Sequence, residues 1–500
     1  MMKVLFLLID LLFIITAVQS QTTAIDTVNL ARSMAYDKKF SEANDLLTLY
    51  NINNKDQYAI QLQAQILYWM KDFKKAEQLY ESGIASFPAY SALKLDHARM
   101  LYQLNKTGRA KILFLDYLSV DAKNAEANTS LAWIDLQDGQ IASAKQRAQN
   151  IISNFPGNLE AENILSTIEE LTAPYLKLRA GTYSDDQPLK QSFVEPEIGV
   201  YRSWLLSPYV KASFNQQNTT QSYATQWISA GNKIFLAATK TNIELSAGYF
   251  QGKNYEGDAT WKIMLNQKIS NNFSADVGIE KRPYQYTIAS VENPFLYQVR
   301  EAGLNFNKNS RWLGRAAFQS QHFEDGNTVS TFYGWLLAPL VEKNGFSLKA
   351  GYSFSYADSD NNTFIPKTTF APPFIPTNEL EGIFDPYFTP KEQYINAALV
   401  SLVVPLSTSV GFTTRASIGF YAKASQPVLF VDNNGSGSLF INKTYGDLKY
   451  TPVEIFSELN FKFSRKFYVA ANYTYNSLIF FKSNSGNIQL KYLFINGKRK

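Results

Sequence analysis

Hydrophobic and polar positions follow two different periods in the two parts of this chain. In the segment FSLKAGYSFSY, which begins at Phe346, every second residue is Phe, Leu, Ala or Tyr, and serines, Lys349 and Gly351 lie between them. Such alternation places the apolar side chains on one face of a β-strand. Segments that begin at Val410 and Asn487 have the same pattern. Roughly 14 to 16 such segments, most of about ten residues, predict a large antiparallel sheet in the second part.

The first part instead repeats with a period of about 34 residues. Two series of alanines recur at intervals of 33, 34 and 34 residues: Ala31, Ala64, Ala98 and Ala132, and Ala43, Ala76, Ala110 and Ala144. Small residues let two helix backbones approach closely, and the prolines that follow Phe87 and Phe155 end a helix. The pattern resembles a tetratricopeptide array of about four repeats over residues 24–158, with a capping helix at Leu159–Leu171. A helical hairpin array of another kind is the alternative.

The composition changes near Pro174, where the two patterns meet. Of the 25 glycines and 18 prolines in the chain, 21 and 16 follow residue 172. Aromatic residues rise from about 10% to about 17% of the positions across this boundary. We therefore predict a helical solenoid at residues 24–172 and a β domain at residues 174–500.

Residues 1–20 have the pattern of a signal peptide. Lys3 precedes an apolar stretch from Val4 to Ala17, and small residues near Ser20 suit cleavage. An uncleaved anchor is the alternative, but the stretch is short for a membrane span and Asp10 interrupts it. No other long apolar run follows, so we expect the exported chain to cross a membrane only with strands.

These observations predict the fold class and the location. We expect an N-terminal tetratricopeptide α-solenoid followed by a C-terminal antiparallel transmembrane β-barrel of about 14–16 strands. The barrel is expected in the lipid of the bacterial outer membrane, with the helical domain in the periplasm. A soluble β-sandwich or propeller is the alternative, although long successive strands with this aromatic content are unusual for a sandwich core.

Charge and reactive residues exclude several functions. The formal net charge is +5 over 500 residues without a dense basic run, so we predict no nucleic-acid partner. The chain has no cysteine, which removes disulfides, thiolate catalysis and cysteine-based zinc sites. His97 and His322 lie in different parts, so we predict neither a metal site nor a cofactor. No GxSxG stretch or distinctive carboxylate pair is present, so we predict no enzyme.

If the apolar strand faces meet lipid, the alternate residues line a lumen. The expected lining is mixed in charge and contains Glu195, Glu197, Tyr201, Glu244, Asp276, Glu280, Arg315, Lys349, Arg415, Glu454, Glu458 and Lys462. A mixed lining does not indicate an anion-selective pore. Carboxylates and aromatic rings are also the groups that bind sugars, although any large barrel needs a polar interior.

The run Ala357–Gln393 lacks strand alternation and is rich in proline. Six prolines, at positions 366, 372, 373, 376, 386 and 390, oppose ladder pairing and stiffen the chain. We predict a stiff loop without regular structure that brings Tyr387, Phe388 and Tyr394 to the barrel mouth, as a constriction or as glycan contacts.

The segment around this loop also carries a family resemblance. Tyr387-Phe388-Thr389-Pro390, then Tyr394 and a strand ending in Val404-Pro405, is similar to the outer-membrane barrel component of bacterial cellulose secretion. The layout of repeats followed by a barrel also resembles the poly-N-acetylglucosamine and Pel export porins and the YaiO-like barrel family, although those exporters carry many more repeats. The resemblance implies a passage for an exopolysaccharide, with the repeats docking a periplasmic or inner-membrane protein. A non-conducting receptor or assembly scaffold is the alternative.

Overall fold

The computed structural model describes residues 26–367, 379–433, 439–479 and 481–495. The signal peptide predicted at residues 1–20 lies outside these residues. The chain divides into two compact units, Met1–Ile168 and Glu169–Lys500.

The first unit is built of successive helix pairs. Helix α1 covers residues 26–36, and the others are α2 (Phe40–Asn53), α3 (Gln57–Trp69), α4 (Phe73–Ser86), α5 (Ser91–Gln103), α6 (Thr107–Leu118), α7 (Ala125–Gln137), α8 (Ile141–Asn154) and α9 (Leu159–Thr172). All eight alanines of the two repeating series are completely buried. A larger side chain at these positions would separate the helices, which explains the period of 34 residues. The predicted tetratricopeptide-like array is confirmed.

Each helix pair turns through one residue with a left-handed backbone. This residue is Lys38, Lys71, Asn105 or Gly139, with φ of 61°, 65°, 59° and 73° in turn. The four positions recur with the repeat period, each two residues before the start of the second helix of its pair. Only the fourth repeat has glycine, the residue that adopts this conformation without cost.

The second unit is a large sheet. Its strands are β1 (Tyr175–Asp185), β2 (Lys190–Gly199), β3 (Pro208–Asn218), β4 (Ser222–Leu236), β5 (Thr241–Gly252), β6 (Tyr255–Lys268), β7 (Phe273–Tyr284), β8 (Phe295–Lys308), β9 (Trp312–His322), β10 (Thr328–Lys343), β11 (Phe346–Ser359), β12 (Phe364–Pro366), β13 (Glu379–Leu380), β14 (Gly382–Phe384), β15 (Gln393–Pro405), β16 (Val410–Asn433), β17 (Leu439–Tyr450), β18 (Val453–Lys462), β19 (Phe467–Ser477) and β20 (Lys482–Leu493). A short helix, α10 (Ile288–Glu292), lies between β7 and β8. Among the residues that the structure describes, no helix is long and apolar enough to cross a membrane.

The sheet closes on itself because β1 pairs antiparallel with β20. Strand β16 is twice as long as its neighbours: Val410–Ile418 pairs with β18, and Ala422–Asn433 pairs with β17 in a hairpin beyond the ring. Setting aside β17 and the two-residue β13, sixteen strands of the described part of the chain form the closed ring. The prediction of an antiparallel barrel of about 14–16 strands is confirmed.

The two faces of the barrel wall differ in chemistry. Large apolar side chains such as Ile198, Ile228, Val277, Phe318 and Ile488 lie exposed on one face, which we call the apolar face. A soluble protein would not leave so many large apolar groups uncovered, whereas lipid solvates them. The residues between them carry most of the charged side chains of the strands, and we call their side the polar face.

Candidate functional site: the polar face and the end cap

The polar face of the first strands is a network of ion pairs. Glu195 on β2 accepts from Arg179 on β1 at 2.6 Å and lies 3.5 Å from the Lys211 ammonium on β3. Glu197 is 3.8 Å from Lys177, its partner in the strand register. These pairs join adjacent strands and leave few free charges on this wall.

Further ion pairs lie on the polar face of β5, β7 and β11. Glu244 on β5 accepts a hydrogen bond of 2.7 Å from the Tyr209 hydroxyl and lies 3.3 Å from Lys262. Arg282 and Glu280 lie 3.7 Å apart on β7. Lys349 on β11 is buried and lies 3.6 Å from Glu342.

Arg315 is the centre of the densest cluster. Its guanidinium donates to Asp276 and Asn305, at 2.7 Å each, and to the Tyr333 hydroxyl at 3.1 Å, and it also binds Glu301. The five side chains come from four consecutive strands, β7 to β10, so the cluster ties this part of the wall together.

The wall formed by β16 and β18 is different. Arg415, Glu454 and Glu458 share the polar face by register, but none of them forms an ion pair within the described part of the chain. Among the described residues, Glu458 accepts a hydrogen bond from the Asn460 amide alone, at 2.6 Å. Lys462 lies at the end of β18, its ammonium 5.4 Å from the Tyr468 ring. This wall therefore presents charges that are free to bind another molecule.

Tyr201 is placed apart from this set. It lies after the end of β2, in the connection to β3, and not within a strand. Its place in the sequence pattern did not reveal this, because the alternation continues for two residues past Gly199.

Residues 360–392, which we call the proline loop, connect β11 to β15. The prediction of a run without regular structure is wrong in part: β11 extends to Ser359, and β12 pairs with β14 through Phe364–Phe384 and Ile365–Ile383. Short strands form here because proline occupies only the end of the ladder, at Pro366. Three of the six prolines, Pro366, Pro386 and Pro390, lie in the described part, and residues 368–378 lie outside it.

Tyr387 anchors the proline loop through its ring. The side chain is 1% exposed and stacks on Phe323 with ring centroids 3.5 Å apart. Tyr284 and Phe295 lie at 6.2 and 6.0 Å. These rings come from β7, from the start of β8 and from the end of β9, so the loop packs against the polar face of three other strands.

Polar contacts fix the same loop at several points. The Tyr387 hydroxyl donates to Asp325 at 2.6 Å, and the Phe388 amide donates to the Tyr284 hydroxyl at 3.2 Å. The Thr287 hydroxyl donates to the Pro386 carbonyl at 2.5 Å. Lys443 on β17 donates to Asn362 at 3.2 Å.

Tyr394 does not join this group. It lies on the apolar face of β15, where its ring is 4.7 Å from that of Tyr356. Phe388, in contrast, is partly buried beside Tyr387, with its ring 4.8 Å from that of Phe384. The structure therefore brings Tyr387 and Phe388 together and separates Tyr394 from them.

The helix α10 is a second inward element, and sequence reasoning missed it. Thr287 and Ser290 form a capping box, and Val291 packs against Leu189 and Tyr223. Glu292 accepts from the Thr219 hydroxyl at 2.9 Å. The pattern Thr-x-x-Ser is a known helix start, but five helical residues are too few for a periodicity signal.

The proline loop and residues 285–294, which include α10, together form what we call the end cap. Its contacts reach the β1–β2, β3–β4 and β9–β10 turns and β17. In an antiparallel ring, successive connections alternate between the two ends, so all of these connections lie at the same end of the barrel. The connections at the other end are short, from two to eight residues between the strand ends.

A cavity of about 370 Å³ lies against the inner side of the end cap. Tyr284, Tyr286 and Tyr297 form one part of its lining, and Arg282, Gln321 and Gln393 contribute polar groups. Phe388 of the proline loop also lines it. The cavity is therefore shared between the barrel wall and the cap.

The first unit contains one group of possible metal ligands among the described residues, Glu77, Glu81 and His97. Glu77 already binds Lys106 at 2.5 Å, and both carboxylates bind Arg109. Two cations thus occupy the carboxylates, and we assign no metal to this group. His97 is almost completely enclosed, and burial lowers its pKa to about 4.

Comparisons with known proteins give structural likeness at low identity. No protein-family model and no curated protein sequence matches this chain. A bacterial polysaccharide outer membrane secretin is 9% identical, with a TM-score of 0.46 over 65% of this chain and 99% of its own. A tetratricopeptide repeat protein from Parabacteroides merdae is 13% identical, with a TM-score of 0.28 over 30% of this chain and 59% of its own. The protein MamA AMB-1 is 15% identical, with a TM-score of 0.27 over 29% of this chain and 86% of its own.

The strand register and the helix repeat of this chain define its fold without these comparisons. A closed sixteen-strand ring with an exposed apolar face is a transmembrane β-barrel. The chain is therefore a transmembrane β-barrel protein with an N-terminal tetratricopeptide-like array.

Proposed function

We propose that this protein is an outer-membrane passage for an exopolysaccharide, closed at one end by the end cap. The observation that carries the proposal is the combination of a charged interior wall with a cap held by reversible side-chain contacts. A barrel that served only as an anchor would need no inward loop with hydrogen bonds to several separate connections.

The free charges of the β16–β18 wall support the same role. Arg415, Glu454 and Glu458 have no ion-pair partner in the described residues, so they are available to the hydroxyl groups of a passing chain. The wall formed by the first strands is internally paired and offers fewer free groups. The tetratricopeptide-like array would dock a periplasmic or inner-membrane protein on its concave face.

The proposal is tested by conductance and by the surface polymer. Replacing residues 361–391 with a four-residue Gly-Ser link keeps the ladder, because Ala357 pairs with Gln393 at its end. In planar bilayers we expect the full chain to conduct rarely and this variant to conduct steadily. Deletion of the gene should remove a surface polysaccharide. Unchanged polysaccharide, or a variant that stays closed, would favour the non-conducting receptor or scaffold.

A further inference from the structure

We propose that the cavity beneath the end cap is a binding subsite for an acidic sugar residue, such as a hexuronate. The inference rests on the proposed passage, and it adds the charge class of the sugar that the passage recognises. A volume of about 370 Å³ is within the usual range of small-molecule pockets.

The tyrosines supply the surface that a sugar ring needs. Tyr284 and Tyr286 lie edge to face at 5.2 Å, and Tyr284 and Tyr297 do so at 5.3 Å. The apolar face of a pyranose packs on such rings, while its hydroxyl groups bond to the polar rim. Tyr286 is exposed, so its ring is open to a ligand.

The rim supplies donors and acceptors. The Gln321 amide nitrogen donates to Gln319 at 3.0 Å, which leaves its carbonyl oxygen for a ligand hydroxyl. Thr331 and Ser355 add hydroxyl groups to the lining. The combination of aromatic rings with amides and hydroxyls is suited to a polyhydroxylated ligand.

The charge of the lining selects the class of sugar. Arg282 is the one charged residue among the described residues that line the cavity, and no carboxylate lines it. The Tyr297 hydroxyl accepts from Arg282 Nε at 3.0 Å, and Glu280 lies 3.7 Å from Nη1. The outer edge of the guanidinium is left for a ligand carboxylate, which it binds better than it binds a neutral hydroxyl.

The experiment measures binding of three soluble tetrasaccharides to the full chain by isothermal titration. Tetragalacturonate is acidic, cellotetraose is neutral and the glucosamine tetramer is cationic. The detergent must carry no sugar head group, because a maltoside would compete for the cavity. We expect tetragalacturonate to bind about tenfold more tightly than cellotetraose, and the cationic tetramer not to bind.

Variants separate the roles of charge and stacking. Arg282→Gln should reduce the affinity for tetragalacturonate about tenfold, to that of cellotetraose. Tyr286→Ala should weaken the binding of both tetragalacturonate and cellotetraose. Because Tyr286 is exposed, the substitution should leave the barrel folded. Arg300→Gln, on the apolar face of β8, is the matched control and should leave the affinity for each tetrasaccharide unchanged. The heat-dependent shift of a closed barrel on electrophoresis verifies folding of each variant.

Two results would overturn the proposal. One is equal affinity of the unaltered protein and Arg282→Gln for tetragalacturonate, and the other is no binding of any tetrasaccharide. The gene deletion reports separately on the passage. If the surface polysaccharide persists while tetragalacturonate binds, the proposed passage is wrong and the binding subsite is supported. If the polysaccharide is lost but no tetrasaccharide binds, the passage is supported and the subsite is wrong.

Discussion

At the scale of single residues, the helical array contains backbone strain in its turns, and the repeat pattern of the sequence does not predict it. Lys38, Lys71 and Asn105 hold the left-handed turn that Gly139 holds without cost. The backbone amides of these turns bond back to the preceding helix, as Asp72 does to the Leu67 carbonyl at 2.9 Å. The turn is thus imposed by the helix pair and not by the residue in it.

We predict that Lys71→Gly stabilises the array by about 1 kcal/mol, because it removes this backbone strain. The matched control is Lys74→Gly, an exposed position within α4, which should destabilise by about 1 kcal/mol. Urea unfolding of the full chain, followed by the helical circular dichroism signal, measures both. Two changes of the same sign would contradict the assignment of strain to the turn.

His97 makes the array sensitive to acid. The ring stacks on Tyr80 with centroids 5.3 Å apart, and neither nitrogen has a hydrogen-bond partner among the described residues. Burial holds the pKa at about 4, whereas the unfolded chain has a histidine pKa of about 6.5. The unfolded state therefore gains a proton first, and stability falls as the pH drops from about 6.5 to about 4.

The expected loss between pH 7 and pH 5 is about 1 to 2 kcal/mol. His97→Phe keeps the stacked ring and should remove this loss, although Glu77, Glu81, Lys106 and Arg109 still surround the site. His322→Gln, in the other unit, should leave the acid response of the array unchanged. Parallel pH curves for the unaltered protein and His97→Phe would rule out His97 as the source.

At the scale of elements, the apolar face of each strand must carry side chains that are stable in contact with lipid. Ile228 lies within β4 and is 50% exposed on that face. Arginine there would lie in the hydrocarbon region of a membrane. We predict that Ile228→Arg destabilises the barrel in phospholipid vesicles by about 2–4 kcal/mol.

The control uses an exposed isoleucine of the other unit. Ile52 on α2 is 72% exposed, and Ile52→Arg should change stability by less than about 0.5 kcal/mol. Tryptophan fluorescence during urea titration reports both values. A tolerated arginine at residue 228 would show that this face meets water.

The alternating pattern of strands such as β11 was enough to predict the barrel, because every second side chain meets a different solvent. The buried alanine series predicted the helix pairs for a similar reason, since one residue size fits each position. The short helix α10 and the strands β12 and β14 were not predictable, because tertiary contacts to Leu189 and Phe384 hold them and their own periodicity is too brief. The partners of Arg315 likewise come from three other strands, β7, β8 and β10, whose register no local pattern reveals.

At the scale of the whole barrel, the two ends differ. Short connections link the strands at one end, and the end cap contacts several connections at the other end. The proline loop is held by the ring stack of Tyr387 on Phe323 and by separate hydrogen bonds through Thr287, Asp325 and Tyr284. We expect this loop to move away only when the stack separates, because each of its hydrogen bonds is individually weak.

We predict that Tyr387→Ala opens the cap and raises the fraction of time that single channels conduct. The lost ring costs about 3–5 kcal/mol of cap stability, which exceeds the contribution of any single hydrogen bond. Tyr387→Phe keeps the stack and removes the hydroxyl that donates to Asp325, so it should have a much smaller effect. Tyr394→Ala, on the apolar face of β15, is the control and should leave conductance unchanged.

The variant with the Gly-Ser link makes this prediction decisive, because it measures the conductance of the barrel without its proline loop. If Tyr387→Ala approaches that conductance, one stacked ring governs the closed state of the barrel. If the linked variant conducts and Tyr387→Ala does not, the hydrogen bonds hold the cap together without the ring, and the prediction is wrong. Because Thr287 bonds to the loop from the α10 connection, Thr287→Val combined with Tyr387→Ala would then be the variant that opens it.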